Sequence, residues 1–178
     1  MVSFPEALEL LLKNSPLLSA ERCRIEPAAG RVLRGNIIAD RPFPASDRVM
    51  MDGYALRFSD WRMGKRVFQV TGSAPAGQAV KTLSEEPGSC LEVMTGAPCP
   101  LGAECIIPLE EVVSSETGSV KFAETASPIA GRFIHRAGSD AAAGEILLTP
   151  GRLLGSREIG VAAACGAAWL EVSRLPQI

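Results

Sequence analysis

Cys105-Ile106-Ile107-Pro108-Leu109-Glu110-Glu111-Val112-Val113-Ser114-Ser115-Glu116-Thr117-Gly118-Ser119-Val120-Lys121-Phe122 is the stretch whose reading decides how the middle of this chain folds. It opens on a short apolar run, 105–109, of the length and β-branched content of a strand, with Pro108 marking a strand end or an edge. Val112-Val113 and Ser119-Val120-Lys121-Phe122 then face each other across Ser114 to Gly118, the spacing of a hairpin. Working outward, Val67-Phe68-Gln69-Val70 and Ser89-Cys90-Leu91-Glu92-Val93-Met94 are two more short runs bounded by turn residues. The segment from 66 to about 137 is therefore expected to be a small, mostly antiparallel β domain.

The flanks read differently. Ser3-Phe4-Pro5-Glu6 is an S-x-x-E capping box with proline in the first turn. Phe4, Ala7, Leu8, Leu11 and Leu12 follow on one helical face. Asn14-Ser15-Pro16 closes that helix. Glu21 to Glu26 reads as a short strand, Pro27-Ala28-Ala29-Gly30 as a turn or one helical turn, and Arg31 to Asp40 as extended chain. Residues 41–57 are rich in Pro, Asp, Met and Gly without a clean period, so a long irregular connection is expected there. Beyond 137, Glu145-Ile146-Leu147-Leu148 reads as a strand. A helix from Arg157 to Cys165 follows, capped by Ser156 and closed by Gly166, and Ala167 to Ser173 forms a last strand. Helices at the ends and strands in the middle give an α+β class.

Bulk composition narrows the function. The chain has 178 residues, 47% hydrophobic and 21% charged, with a net charge of −2. Its Lys and Arg are scattered singly, which argues against a nucleic-acid or membrane-surface partner, either of which needs a clustered basic face. No apolar stretch approaches the roughly 18 residues needed to span a bilayer. The five cysteines form no C-x-x-C pair and there is one His. Free thiols in a reducing cytoplasm are expected, and a zinc site is not. Aromatic residues are few against 17 Gly and 13 Pro, so the core is expected to be built from Val, Ile, Leu and Ala.

Three Gly-flanked polar segments carry what chemistry there is. In Met51-Asp52-Gly53-Tyr54-Ala55 a carboxylate sits next to a residue with no side chain. Asp52 could hold a metal ion or orient a phosphate-bearing substrate through one, or it could close an Asx-turn on its own backbone. In Val93-Met94-Thr95-Gly96-Ala97-Pro98 a hydroxyl at a strand end precedes Gly96. That arrangement suits an oxyanion contact, and it equally suits a plain strand-to-turn transition. In Ile134-His135-Arg136-Ala137-Gly138-Ser139-Asp140 a guanidinium able to bind an anion lies beside the only His and an Asp. The plain alternative is an exposed turn with an Arg–Asp pair. The residues alone leave each pair of readings open.

The order of these segments is similar to that of the MoeA family of molybdopterin molybdenumtransferases, whose eukaryotic relatives include the gephyrin E domain. Ala29-Gly30-Arg31-Val32-Leu33 resembles the family's A-x-G-R-V-L entry, and residues 51–55 its M-D-G-Y-A signature. Met94-Thr95-Gly96-Ala97-Pro98, with Pro100, Gly102 and Ala103, resembles M-T-G-A-P-x-P-x-G-A. Arg136, Gly138 and Asp140 fall on R-R-R-G-E-D. The resemblance implies a discontinuous α/β subdomain from 1–40 and 138–178, with a β-rich, barrel-like subdomain, 41–137, inserted in it. It also implies that the family's C-terminal molybdopterin-binding domain is absent from this chain.

By the same resemblance Asp52, Thr95 and Asp140 are expected catalytic residues, and Gly53, Gly96, His135 and Arg136 are expected on the substrate side. The implied cofactors and substrates are Mg2+, molybdate and molybdopterin, none held tightly by this segment alone. The implied partners are a second copy, as a homodimer, and the catalytic domain of the full-length protein or partner chain. The alternative is a non-catalytic scaffold module of the same fold acting with a separate catalytic domain. The chain departs from the family where Arg48-Val49-Met50 replaces an N-S-A-like run, where His135 and Ala137 replace two arginines, and where Ser139 replaces Glu.

Overall fold

The computed structural model describes residues 2–176. The chain divides into two units, Met1–Asp40 with Gly144–Ile178, and Arg41–Ala143.

In the first unit α1, Phe4–Asn14, starts as its capping box dictates. Glu6 N donates to Ser3 Oγ (3.5 Å), and Ser3 N donates to Glu6 Oε2 at 2.8 Å. None of its residues is buried, so the apolar face seen in the sequence, Phe4 (80% exposed) and Leu11 (67%) included, lies open. Antiparallel β1, Ala20–Arg24, and the last strand, Trp169–Ser173, place Cys23 opposite Leu170. β2, Ile37–Ile38, pairs with Ile146–Leu148. Leu33, Leu154, Ala162, Leu170 and Val172 form the unit's core. The C-terminal helix, Ser156–Ala164, begins one residue earlier than expected. Its cap is Gly155, whose N–H donates to Glu158 Oε2 at 3.0 Å. Gly166, at φ +72, closes it.

The second unit contains β3, Arg48–Val49; β4, Gly53–Leu56; a short α2, Phe58–Arg62; β5, Val67–Ala74; β6, Ser89–Val93; and β7, Cys105–Pro108. It continues with β8, Val112–Glu116; β9, Ser119–Phe122; and β10, Ile134–His135. Six strands form a curled, half-barrel sheet in the order β7-β4-β6-β5-β9-β8. β7, with its Pro108, is an edge, and β8–β9 is the expected hairpin. The sheet has an apolar cluster on each face. Ala55, Leu91, Val93 and Ile106 lie on one, and Tyr54, Leu56, Phe68, Cys90, Ile107 and Phe122 on the other. Phe122 is fully buried and meets Tyr54, Trp61 and Phe68 edge-on at 5.7, 6.2 and 5.7 Å.

One expectation is corrected here. Residues 41–57 are not one irregular connection, because β3 and β4 lie within them. All four residues of β4 are buried, so it lacks the alternation that marks a one-sided strand. The sheet is mostly antiparallel, as expected: four of its five strand pairings run antiparallel, and β5 and β6 run parallel, with a bulge between Val70 and Ser73. The second unit takes in residues 138–143 and runs to Ala143. These residues are tied to the 43–44 backbone: Gly138 N donates to Pro44 O (3.0 Å), Asp140 N to Phe43 O (2.9 Å) and Phe43 N to Ala141 O (2.9 Å).

All five cysteines are unbonded thiols. Burial pushes Cys90 and Cys105 up to about 12 and Cys99 up to about 11, so these three are inert packing groups. Among the described residues no helix is long and apolar enough to cross a membrane.

Candidate functional site

β3 is only two residues long, yet it is where the three polar segments meet. On one side Val49 N donates to Ala97 O (2.9 Å), Gly96 N to Val49 O (2.8 Å) and Cys99 N to Asp47 O (2.8 Å). On the other, β3 pairs with β10, placing Ile134 against Val49 and His135 against Arg48, and Met50 N donates to Phe133 O at 2.9 Å. Stretches far apart in sequence thus lie side by side, and their polar residues emerge at the ends of one short strand. Val49, Ala97 and Ile134 are buried beneath them in one apolar cluster, which makes the platform rigid.

Gly53 starts β4 directly after Asp52. The missing side chain noted in the sequence is what this position needs. A Cβ on Gly53 would stand 2.1 Å from the Ile107 carbonyl oxygen of β7. Gly96 is the converse case: its φ of +83 requires glycine, while nothing lies within 4 Å of where its Cβ would be.

Asp52 does not close on its own backbone. Its Oδ1 accepts from Thr95 N at 2.7 Å and from Thr95 Oγ1 at 2.8 Å, joining the first two segments. Both residues are exposed. Chiefly the backbone N–H of Thr95, then its hydroxyl, hold the Asp52 carboxyl below the usual carboxylate value. With a lowered folded-state pKa, the stabilisation these bonds provide is present above the unfolded-state value and is lost as pH falls through the folded one. Thr95→Ala keeps the N–H donor and removes the hydroxyl. The Asp52 carboxyl should then titrate closer to its ordinary value in a carboxyl-carbon NMR titration. An unchanged midpoint would mean that the hydroxyl does not bond it in solution.

In the third segment His135 Nε2 lies 2.8 Å from Asp140 Oδ1. The partner of Arg136 is not Asp140, as a plain turn reading has it. Its Nη1 donates to Asp47 Oδ2, and Ala137 N donates to Asp47 Oδ1 at 2.8 Å. Asp47 was not singled out in the sequence, because its partners lie 89 and 90 residues away along the chain and no local motif marks it. Asp52 is thus brought to Thr95, and His135 to Asp140, on neighbouring segments.

The donor set bears on magnesium. Among the described residues no group of three or more His, Cys, Asp or Glu is placed to hold a metal. Magnesium, however, is commonly held by one or two carboxylates with waters and substrate phosphates. Asp52, with Oδ1 anchored to Thr95, has Oδ2 available as one such ligand.

The family model described as MoeA N-terminal region (domain I and II) matches residues 2–166. The chain belongs to this family. MoeA relatives agree in sequence and in fold. A molybdopterin molybdenumtransferase of Synechocystis sp. is 34% identical over 178 residues, covering 100% of this chain and 45% of the relative. Molybdopterin molybdenumtransferase 2 of Mycobacterium tuberculosis is 37% identical over 149 residues, 82% of this chain and 36% of the relative. The crystal structure of the molybdopterin biosynthesis moeA protein from Pyrococcus horikoshii OT3 superposes with a TM-score of 0.84 at 29% identity, covering 97% of this chain and 46% of that one. The chain therefore spans less than half the length of these MoeA relatives.

Proposed function

We propose that this chain forms one wall of the active cleft of a molybdopterin molybdenumtransferase, in which molybdenum passes from molybdate into adenylylated molybdopterin. The observation that carries the reading is the Asp52–Thr95 bond pair, which joins two family signatures at the end of one two-residue strand. Asp52, with Oδ1 held by two donors, presents Oδ2, suited to orienting substrate through a magnesium ion, which would supply charge neutralisation at the phosphates. Asp140, with the His135 ring on its Oδ1, is a second acidic group on the same platform. Gly53 and Gly96 keep the backbone low beside these groups, and Arg136 offers guanidinium N–H groups to an anionic substrate.

The rest of the cleft comes from the molybdopterin-binding domain of the full-length protein or partner chain, in a cytoplasmic homodimer. The substitutions at His135, Ala137 and Ser139 favour, as the second reading, a scaffold module working with a separately encoded catalytic domain. One assay separates these readings: the full reading frame that encodes this chain is supplied with adenylylated molybdopterin, molybdate and magnesium, and active cofactor is scored by reconstitution of a molybdenum-dependent apoenzyme. Cofactor formation by the full protein, and none by the 178-residue chain, is expected. No formation by the full protein contradicts the transferase reading, and formation by the short chain contradicts its role as a single wall.

A further inference from the structure

We propose that Asp47, which no motif marks, is the positioning residue of this cleft, aiming Arg136 and fixing the turn that presents Asp140. The inference rests on the transferase reading above. Three bonds support it. The Asp47 carbonyl accepts from Cys99 N at 2.8 Å, which ties it to the Thr95 segment. Its two carboxylate oxygens accept separately, Oδ1 from Ala137 N at 2.8 Å and Oδ2 from Arg136 Nη1. Asp47 thus touches both other segments at once, from the end of β3 opposite to Asp52.

A purely structural role fits poorly. The Arg136 and Asp47 side chains are 56% and 33% exposed, and ion pairs so wet contribute little to stability. The pair does constrain direction. One guanidinium nitrogen is taken by Asp47, so the remaining N–H groups point where the carboxylate sets them, as an anion-binding arginine requires. The Ala137 bond pins the backbone next to that arginine, and the turn runs on through Gly138, φ +73, to Asp140. Asp47 itself also lines, with Ser46, Pro98 and Leu101, a groove of about 570 Å³.

The test uses the full-length protein with adenylylated molybdopterin as the probe. Asp47→Asn keeps an acceptor for Ala137 N and removes the partner of Arg136. It should raise KM for that substrate about tenfold while kcat stays within about twofold. Arg136→Gln should do the same, and the double variant should be no worse than the more impaired single one, because the two residues act as one unit. Unchanged KM in Asp47→Asn, or losses that multiply in the double variant, would overturn the proposal. So would a fall in melting temperature without a change in KM.

Asp52→Asn is assayed in parallel. If it lowers activity and Asp47→Asn does not, only this inference fails. If the wild-type protein shows no insertion, the transferase reading fails instead. The clamp is then still decided by exchange of the Ala137 amide, protected in wild type and Asp47→Asn and unprotected in Asp47→Ala. Equal protection in all three would overturn it.

Discussion

Gly53→Ala should cost this protein at least about 4 kcal/mol of stability, beyond the range of ordinary substitutions. The added Cβ would lie 2.1 Å from the Ile107 carbonyl oxygen, 2.9 Å from the Ile107 carbonyl carbon and 2.9 Å from Pro108 Cα. All three are backbone atoms of β7, so no rotamer change relieves the clash. Relief requires β4 to separate from β7 at the Gly53–Pro108 pairing, which also disturbs Leu109 N, the donor to Asp52 O at 3.1 Å. Domains of this size hold about 5–15 kcal/mol in all, so the variant should be largely unfolded or show a large drop in urea midpoint. Gly96→Ala is the informative contrast. It meets open space and only a backbone cost at φ +83, which is about 1–2 kcal/mol. A urea unfolding free energy for Gly53→Ala within about 1 kcal/mol of wild type would mean that β4 and β7 do not approach as closely as described.

Phe122→Ala should be the next largest loss, about 3–5 kcal/mol. Its side chain is fully buried and is the common partner of Tyr54, Trp61 and Phe68. In an aromatic-poor chain no neighbouring large side chain can collapse into the hole without breaking these edge-on contacts, which add to plain burial. Phe122 also sits in the hairpin strand paired with β5 through Val67, Phe68 and Gln69, so a cavity there loosens the centre of the sheet. Equilibrium unfolding in urea measures it. A loss under about 1.5 kcal/mol would place Phe122 outside the core.

Much of this was readable in advance where the signal is local. The α1 cap, the β8–β9 hairpin and the edge strand with Pro108 each depend on residues within a few positions of one another. What was not readable depends on distant pairing. β4 is buried on both faces and shows no period, β3 is two residues long, and the parallel β5–β6 contact has no turn to announce it. The candidate site divides in the same way. Asp52, Thr95 and Asp140 stood in recognisable segments, and residue chemistry could not choose between an Asx-turn and a cross-segment bond for Asp52. That choice needed Thr95 placed 43 residues away. Asp47 stayed hidden because its carboxylate acts on the opposite end of the unit's sequence.

The most direct test of the account is the rate of molybdenum insertion by the full-length protein carrying Asp52→Asn. Asparagine keeps an oxygen to accept both Thr95 bonds, so the junction of the segments and the melting temperature should survive, while the negative charge facing substrate is removed. Loss of one preorganised charged contact at a reacting centre costs on the order of 10²–10³ in rate. A fall of at least about 10²-fold at an unchanged melting temperature is the predicted result. Insertion at the wild-type rate by a folded Asp52→Asn protein would contradict the account, leaving the Asp52–Thr95 pair a structural tie and not the centre of a cleft.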